Sequence, residues 1–276
     1  MKNLLIIANC FGGEYWRHLA SVAKIREEFS PTFVSTYEQT PDARYHALLE
    51  DADVIVSQNV KNIPAYANAY IAEHKKQNAL HVSTEFWRFD GYWPYSSASH
   101  RINDWFWFPV DEFGTEISYE NYMNHELDRV VVREHFETEL EKLREIDGRS
   151  DISIMEFFMA NHQNDRLFSD HWHPLPPIYK RVAEELLNRL DIKGQIPDLP
   201  ADGVNDCRHR LILRSVRESL RLRFGEETFT FLGRRITPED YFYFARFLLK
   251  SPGFVDLPSI QAVKARFDDF FGVPSV

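Results

Sequence analysis

Short apolar runs alternate with amphipathic segments along the N-terminal third of the chain. Leu4–Ile7 is continuously apolar, which is typical of a strand that is buried on both faces of a sheet. Leu19, Val22 and Phe29 then recur at helical spacing. The same alternation predicts strands at 31–37, 53–60 and 79–87 and helices at 42–52 and 63–76. Strands that alternate with helices in this way indicate an α/β fold, in which a mostly parallel sheet has helices on both faces.

The pattern changes after the fourth predicted strand. Residues 88–125 are aromatic, irregular and rich in turn-forming residues. This insertion is either a packed surface excursion or a loop whose exposed rings stack on a substrate. Helical periodicity follows, with a clear helix at 176–190 and a Pro/Gly/Asp linker at 191–206. We therefore predict an α/β domain over 1–190 and a helical C-terminal extension over 191–276 that packs on it.

The composition is that of a globular protein and excludes several classes. The chain has 276 residues, of which 44% are hydrophobic, so it can bury a sizeable core. A net charge of −10 argues against general nucleic-acid binding. Two cysteines cannot form a disulfide framework, and no apolar run approaches the length of a membrane span. We expect a cytoplasmic protein without a nucleic-acid partner. The sequence does not determine the oligomeric state, and a homo-oligomer is one of the alternatives.

Cys10 stands at the carboxyl end of the first predicted strand, where open α/β sheets bind their ligands. It also precedes a predicted helix, whose N-terminus favours an anion and therefore the nucleophilic thiolate. Gly12 and Gly13 allow the backbone to approach a bound group closely. The alternative is a structural cysteine that packs as a small hydrophobe, and we assign that role to Cys207.

A nucleophile needs a base, and the segment DHWHP at 170–174 offers one. In this D-x-x-H arrangement the carboxylate of Asp170 can orient one ring nitrogen of His173 while the other faces the nucleophile. The proline that follows restricts the histidine backbone and fixes it on a rigid loop. His171 and His162 are rival candidates for the base.

These motifs resemble those of known families. The block SDHWHPLPPIYKRVAEELL resembles the last block of SGNH-type hydrolases, and IIANC lies where that family places its nucleophilic serine. The chain is more similar to the WcbI family of capsular polysaccharide biosynthesis proteins, from residue 3 to about residue 190. The matching segments are Ala8-Asn9-Cys10-Phe11, Gln58 in VIVSQNV, the stretch REIDGRSDISIMEFF, Arg166-Leu167-Phe168 and His173-Pro174. Two positions depart from the family pattern, with Ala8 in place of a glycine and Phe11 in place of a glutamine.

The resemblance implies an SGNH- or flavodoxin-like fold. It also implies acyltransferase activity, with acetyl as the first candidate for the transferred group. Such a protein binds coenzyme A as co-substrate, needs no metal, and modifies a bacterial surface or capsular polysaccharide or its precursor. Cys10 would be the nucleophile or acyl acceptor, and His173 the general base that Asp170 orients. The Cys10 backbone N–H would form an oxyanion hole with Gln58 or Asn59. The resemblance also implies that Asn9, Phe11 and Gly12 bind the substrate.

Arginines recur at helical spacing in the C-terminal region. Arg210, Arg214, Arg217 and Arg221 fall at i, i+4, i+7 and i+11, which predicts one face of a helix. Such a face is either solvated and paired with acidic neighbours or a clamp for phosphate groups. We assign Arg214, Arg217 and Arg221 to the phosphates of coenzyme A.

Two other functions use the same residues. A thioesterase or esterase would pass the acyl group to water instead of to a sugar hydroxyl. A binding protein would keep the fold and bind coenzyme A or a glycan without catalysis, and the change to Phe11 slightly favours that alternative.

Overall fold

The structure is a computed structural model that describes residues 1–37, 41, 43–60, 62–95, 117–200, 210–225, 228–250 and 260–272. Its contacts divide the chain into two compact units. The first consists of Met1–Trp87, Lys142–Ala160 and Pro176–Pro200, and the second of Arg88–Glu141, Asn161–Leu175 and Ala201–Val276. This division crosses the predicted boundary at residue 190, so the domain assignment stays a prediction.

A four-stranded parallel sheet forms the centre of the first unit. Its strands are β1 (Lys2–Ala8), β2 (Phe29–Ser35), β3 (Val54–Gln58) and β4 (Leu80–Thr84), in the order β2-β1-β3-β4. All three neighbouring pairs are parallel. Each strand overlaps a predicted one, and the predicted α/β fold with a mostly parallel sheet is confirmed.

The helices are short except for two. In chain order they are α1 (Phe11–Leu19), α2 (Ala23–Glu28), α3 (Tyr45–Asp51), α4 (Asn68–His74), α5 (Tyr119–Met123), α6 (Arg129–Asp147), α7 (Met155–Asn161), α8 (Pro176–Arg189), α9 (Arg214–Leu220), α10 (Pro238–Lys250) and α11 (Ile260–Phe270). The predicted helix at 63–76 is divided, because Ala67 has an extended backbone between a 3₁₀ turn at Pro64–Tyr66 and α4. No helix among the described residues has the length and apolar composition that crossing a membrane requires.

Alternate side chains of β1 face opposite sides of the sheet. Leu5 and Ile7 join a buried cluster with Tyr45 and Leu49 of α3 and Ile71 of α4. On the other side, α1 begins directly after the strand and packs back on it. A Cβ on Gly12 would lie 3.1 Å from Ile6 Cγ2 and 3.2 Å from Ala8 Cβ. Gly12 therefore permits the close approach of the first helical turn to β1.

Among its described residues, the second unit combines helices with two antiparallel hairpins. The strands are β5 (Phe168–Asp170), β6 (His173–Pro174), β7 (Phe229–Phe231) and β8 (Arg234–Ile236). The predicted helical character of the C-terminal region is confirmed by α9, α10 and α11. The β7–β8 hairpin was not predicted. Its turn places Leu232 and Gly233 at φ 50° and 80°, the left-handed pair that two-residue hairpins use.

The aromatic insertion at 88–125 is described only outside residues 96–116. In the described part, Phe89, Tyr92 and Trp93 have no exposed surface and Tyr95 is almost fully buried. Phe89 and Tyr92 pack edge to face, as do Tyr92 and Trp93. These four rings are core residues and do not provide an exposed stacking surface.

Replacement of Gly12 by valine should destabilise the protein, whereas the same change at Gly13 should not. A side chain at Gly12 meets Ile6 and Ala8, and overpacking of this kind costs about 1–3 kcal/mol. Nothing lies within 4 Å of a Cβ at Gly13, and valine is a better helix former than glycine by a few tenths of a kcal/mol, on the order of 0.4. Urea unfolding of Gly12→Val and Gly13→Val measures both values. Equal effects at the two positions would contradict the packing argument.

Candidate functional site

The strand order creates a crevice at one edge of the sheet. The chain passes from β1 to β2 on one side and then crosses to β3 on the other, so β1 and β3 flank a topological switch point. Ligands of open α/β sheets bind there, outside the carboxyl ends of the strands. Asn9 and Cys10 follow β1, Gln58 ends β3 and Asn59 follows it, and Glu85 follows β4.

Hydrogen bonds join these residues along the edge. The Asn9 N–H donates to Gln58 Oε1 at 3.1 Å, and the Asn59 N–H donates to the Thr84 carbonyl at 3.0 Å. A backbone N–H requires an acceptor, so the amide oxygen of the buried Gln58 must face Asn9. Its amide nitrogen is directed elsewhere, and no described residue accepts from it. Gln58 therefore offers a donor at the crevice.

Cys10 is the N-cap residue of α1 and is partly exposed. This is the position at which the dipole and unpaired N–H groups of a helix favour an anion. The structure confirms the predicted location of Cys10 between the end of a strand and the start of a helix. Cys207 lies outside the described residues.

Phe11 and Gly12 have packing roles. Phe11 is fully buried, and its ring lies 5.0 Å from that of Phe86 and 5.5 Å from that of Tyr179 in α8. Its backbone N–H donates to Asn9 Oδ1 at 3.0 Å. Both the side chain and the N–H of Phe11 are thus engaged within the protein, and Gly12 is buried beneath the first turn of α1.

One residue of this edge, Glu85, was missed by the sequence analysis. Glu85 is only 4% exposed, and its Oε1 accepts from Asn59 Nδ2 at 2.8 Å and lies 3.5 Å from Arg149 Nε. Tyr15 of α1 has a raised pKa, chiefly because its hydroxyl is buried. The nearby Thr84 lowers this pKa, and the charges on Cys10 and Glu85 raise it further. The sequence analysis missed Glu85 because it placed this residue inside the predicted strand at 79–87, whereas β4 ends at Thr84.

His173 and Asp170 form a close pair on the β5–β6 hairpin of the second unit. His173 Nδ1 lies 2.7 Å from Asp170 Oδ1 and 2.9 Å from Oδ2. The N–H groups of Trp172 and His173 also donate to Oδ1, at 2.8 and 2.9 Å. Burial alone would raise the pKa of Asp170, but the charge and hydrogen bond of His173 and the Trp172 N–H outweigh it and hold the pKa below its usual value. An ionised Asp170 keeps the proton of a neutral His173 on Nδ1, so Nε2 is the ring atom that can accept one.

The rival histidines have other surroundings. The ring of His171 packs against Trp172 at 4.3 Å between centroids. The ring of His162 packs against Phe136 at 5.4 Å, and its carbonyl accepts from the Tyr92 hydroxyl. His173 is the histidine whose ring Asp170 orients.

Two arginines support the hairpin that carries this pair. Arg166 donates to the carbonyls of Phe168 and Ser169 at 3.0 and 2.9 Å, and to the carbonyl of Arg210. The Arg210 N–H donates to the Ser169 carbonyl at 3.0 Å. The Arg210 guanidinium pairs with Asp90 at 3.1 Å and lies 5.0 Å from the centroid of the Trp93 ring. The backbone at Ser169, next to Asp170, is thereby fixed from two directions.

The prediction that four arginines share one helix face is wrong. Helix α9 begins only at Arg214, Arg210 is buried ahead of it, and Arg221 ends it in a left-handed conformation at φ 57°. Arg214 is exposed and pairs with Glu120 at 2.8 Å and with Asn124. Arg217 is half-buried, and no described residue accepts from its buried Nε. A phosphate-binding role of Arg214, Arg217 and Arg221 stays a prediction.

Comparison with known proteins gives two findings. The family model described as the polysaccharide biosynthesis enzyme WcbI matches residues 3–195. A solved structure of the polysaccharide biosynthesis enzyme WcbI has 16% sequence identity and a TM-score of 0.69, covering 98% of this chain and 95% of that one. That structure is of the native protein without a disulfide bond between coenzyme A and one of its cysteines. At this identity the likeness shows a shared fold. None of the curated proteins matches the sequence.

Stability should depend on pH through Asp90. Burial raises its pKa to about 7; Arg210 opposes this, and Glu139 and Asp170 add to it. The native carboxyl therefore keeps its proton to about pH 7, whereas the unfolded chain releases it near pH 3.9. Unfolding in this window releases a proton, so the contribution of Asp90 to stability falls as the pH rises through it. Asp90→Asn should remove this dependence.

Urea unfolding of the wild type and Asp90→Asn at about pH 5 and about pH 8 tests this expectation. The variant should gain in stability relative to the wild type at the higher pH. The matched control is Asp165→Asn, at an exposed position. The same difference between variant and wild type at both pH values would show that Asp90 titrates normally.

Proposed function

Because the chain belongs to the WcbI family of polysaccharide biosynthesis enzymes, we propose that it transfers an acyl group, acetyl in the first instance, from coenzyme A to a saccharide hydroxyl. The acceptor is a surface or capsular polysaccharide or its precursor, and the reaction takes place in the cytoplasm. The observation that carries the proposal is the buried His173–Asp170 pair. A histidine whose Nδ1 is held by two carboxylate oxygens is arranged to exchange protons at Nε2.

Cys10 is the proposed acyl carrier. His173 Nε2 removes the thiol proton, and the sulfur attacks the carbonyl carbon of the acyl-CoA. A bond from Cys10 Sγ to the acyl carbon forms, the bond from that carbon to the sulfur of coenzyme A breaks, and His173 returns the proton to the leaving thiolate. In the second half, His173 removes a proton from the acceptor hydroxyl, whose oxygen takes the acyl group while the Cys10 thiol is regenerated. Protons and bonds balance over the two steps without a further reactant.

The Gln58 amide nitrogen and the Cys10 backbone N–H are the proposed oxyanion donors. Gln58 is supported by the bond from Asn9, which turns the amide oxygen away and fixes the group before the substrate binds. Of the two side-chain amides, Asn59 is a weaker candidate than Gln58, because the Asn59 amide already donates to Glu85. Prearranged donors of this kind stabilise the developing charge by about 3–4 kcal/mol each.

Coenzyme A is proposed to bind with its thiol directed to Cys10 and its phosphates on Arg214, Arg217 and Arg221. The solved WcbI structure, of the native protein without a disulfide bond between coenzyme A and a cysteine, supports the first part. The buried Arg217 Nε, which has no acceptor among the described residues, supports the second. Guanidinium groups bind phosphate with paired donors, which suits this role.

His173→Ala should slow both the alkylation of Cys10 and the transfer reaction. Loss of the base removes the group that promotes the thiolate, and loss of a general base lowers kcat by about 10²–10⁴-fold. Alkylation by iodoacetamide is followed at neutral pH by peptide mass spectrometry, with Cys207 in the same chain as internal reference. His162→Ala is the matched control. Alkylation of Cys10 at the wild-type rate in His173→Ala would overturn the assignment of the base.

The change of Arg214 and Arg217 to glutamate should weaken coenzyme A binding by tenfold or more, since each bond to a charged group contributes about 1.5–3 kcal/mol. The loss of the Arg214–Glu120 pair should change the free energy of unfolding little, because that pair is exposed. Calorimetric titration with coenzyme A measures the affinity. Lys24→Glu with Arg26→Glu carries the same change of net charge at exposed positions of α2 and serves as control. A loss of stability with unchanged affinity would assign these arginines to structure.

A further inference from the structure

We propose that Glu85, together with Asn59, binds a hydroxyl pair of the saccharide acceptor at the carboxyl edge of the sheet. The inference rests on the function proposed above and names the residues of the first unit that hold the second substrate. It assigns a role to a carboxylate that the proposed acyl transfer does not use.

The burial of Glu85 indicates a role beyond packing. Burial of a carboxylate away from water costs on the order of several kcal/mol of folding free energy unless the group is paired and hydrogen-bonded. Here both recorded contacts, from Asn59 Nδ2 at 2.8 Å and Arg149 Nε at 3.5 Å, go to Oε1. No described residue donates to Oε2. An ionised carboxylate accepts about four hydrogen bonds, so the described residues use only a small part of the capacity of Glu85.

The position of Glu85 supports a ligand that reacts at Cys10. Gln58 bonds to Asn9, the neighbour of Cys10, and Asn59, the next residue, bonds to Glu85. The two bonds run along one edge of the sheet from the cysteine to the carboxylate. Charges on Cys10 and Glu85 also act together on the buried hydroxyl of Tyr15. A group held by Glu85 would therefore lie close to an acyl group on Cys10.

The chemistry of the two side chains selects hydroxyl groups. The Glu85 carboxylate accepts from an O–H, and the second N–H of the Asn59 amide donates to the oxygen of an adjacent hydroxyl. The negative charge disfavours phosphate, so the coenzyme A phosphates do not compete for this position. A carboxylate acceptor beside an amide donor matches the paired hydroxyls of a neutral polyol. A site built to hydrogen-bond a hydroxyl rejects analogues that lack it by large factors, about 10⁴–10⁵ in favourable cases.

Glu85→Gln separates binding from structure. The glutamine oxygen can still accept from Asn59, so the contact that holds the chain in place is kept. The ligand-facing Oε2 becomes an NH₂ group, which cannot accept from a hydroxyl. The control is Glu50→Gln, an exposed position on α3, and thermal melting confirms that both variants are folded.

The first experiment measures saccharide binding without coenzyme A. Saturation-transfer NMR is recorded with methyl α-mannopyranoside, methyl α-glucopyranoside and methyl α-galactopyranoside as probes. At least one probe should receive saturation from the wild type and from Glu50→Gln, and its affinity for Glu85→Gln should fall at least tenfold. Equal saturation in Glu85→Gln, or none from the wild type with any probe, would overturn the proposal. If Glu85→Gln does not fold, deoxy analogues of the binding probe take its place, and removal of a held hydroxyl should weaken binding to the wild type at least tenfold.

The second experiment separates this proposal from the proposed function. Release of the coenzyme A thiol from acetyl-CoA is followed with the binding glycoside as acceptor. Glu85→Gln should raise the KM for the glycoside at least tenfold and leave the KM for acetyl-CoA within twofold. A wild type that transfers acetyl groups with an unchanged glycoside KM in the variant refutes the role of Glu85 alone. A wild type that binds the glycoside through Glu85 but neither binds coenzyme A nor acetylates Cys10 refutes the acyl transfer alone.

Discussion

Parallel pairing of β3 with β1 on one side and β4 on the other determines which side chains meet in the first unit. Parallel strands end at the same edge, so the residues after all three strands are brought into one row. The register pairs Ile7 with Ser57 and Gln58 with Thr84, which puts Cys10, Asn59 and Glu85 within one or two positions of the same line. The hydrogen bonds from Asn9 to Gln58 and from Asn59 to Glu85 connect this row. A shift of β3 by one residue would turn Gln58 to the opposite face and break the first of them.

The two buried carboxylates of the candidate sites differ in how completely they are paired. Asp170 accepts from two backbone N–H groups and holds the ring of His173 with both oxygens. Its capacity is used within the hairpin, and its effect is to orient a histidine. The described residues contact Glu85 at one oxygen, Oε1. Burying a charge costs free energy that a partner has to offset, which His173 and two backbone N–H groups do for Asp170 and which the proposed hydroxyl ligand would do for Glu85.

The departures from the family pattern have a local explanation in packing. Phe11 stands where the family has a glutamine, and its ring joins Phe86 and Tyr179 in an aromatic cluster between β4 and α8. Its N–H is bonded to Asn9, so neither group of Phe11 is offered to a ligand. Phe11 supplies no side-chain amide at this point, whereas Gln58 has an amide nitrogen that donates to no described residue. Gly12 follows it and permits the close packing of α1 on β1.

The sequence by itself determined what depends on short-range order. Apolar runs and helical spacing predicted the four strands and their parallel arrangement, and a predicted strand end gave the position of Cys10. Gln58 was identified from the family resemblance. The contact of Asp170 with His173 was also accessible, because the two residues are three apart and the chain between them is short. Tertiary structure decided what depends on long-range contacts. The arginine spacing predicted one helix face, but Arg210 is drawn into the core by Asp90, Trp93 and the Ser169 carbonyl, and α9 starts after it. The rings of Phe89, Tyr92 and Trp93 are buried by partners far along the chain. Glu85 likewise makes its contacts with Asn59 and Arg149, which are distant from it in the sequence. Periodicity records which side of its own element a residue occupies, whereas the energy of burial and pairing is set by whichever distant residues the fold brings against it.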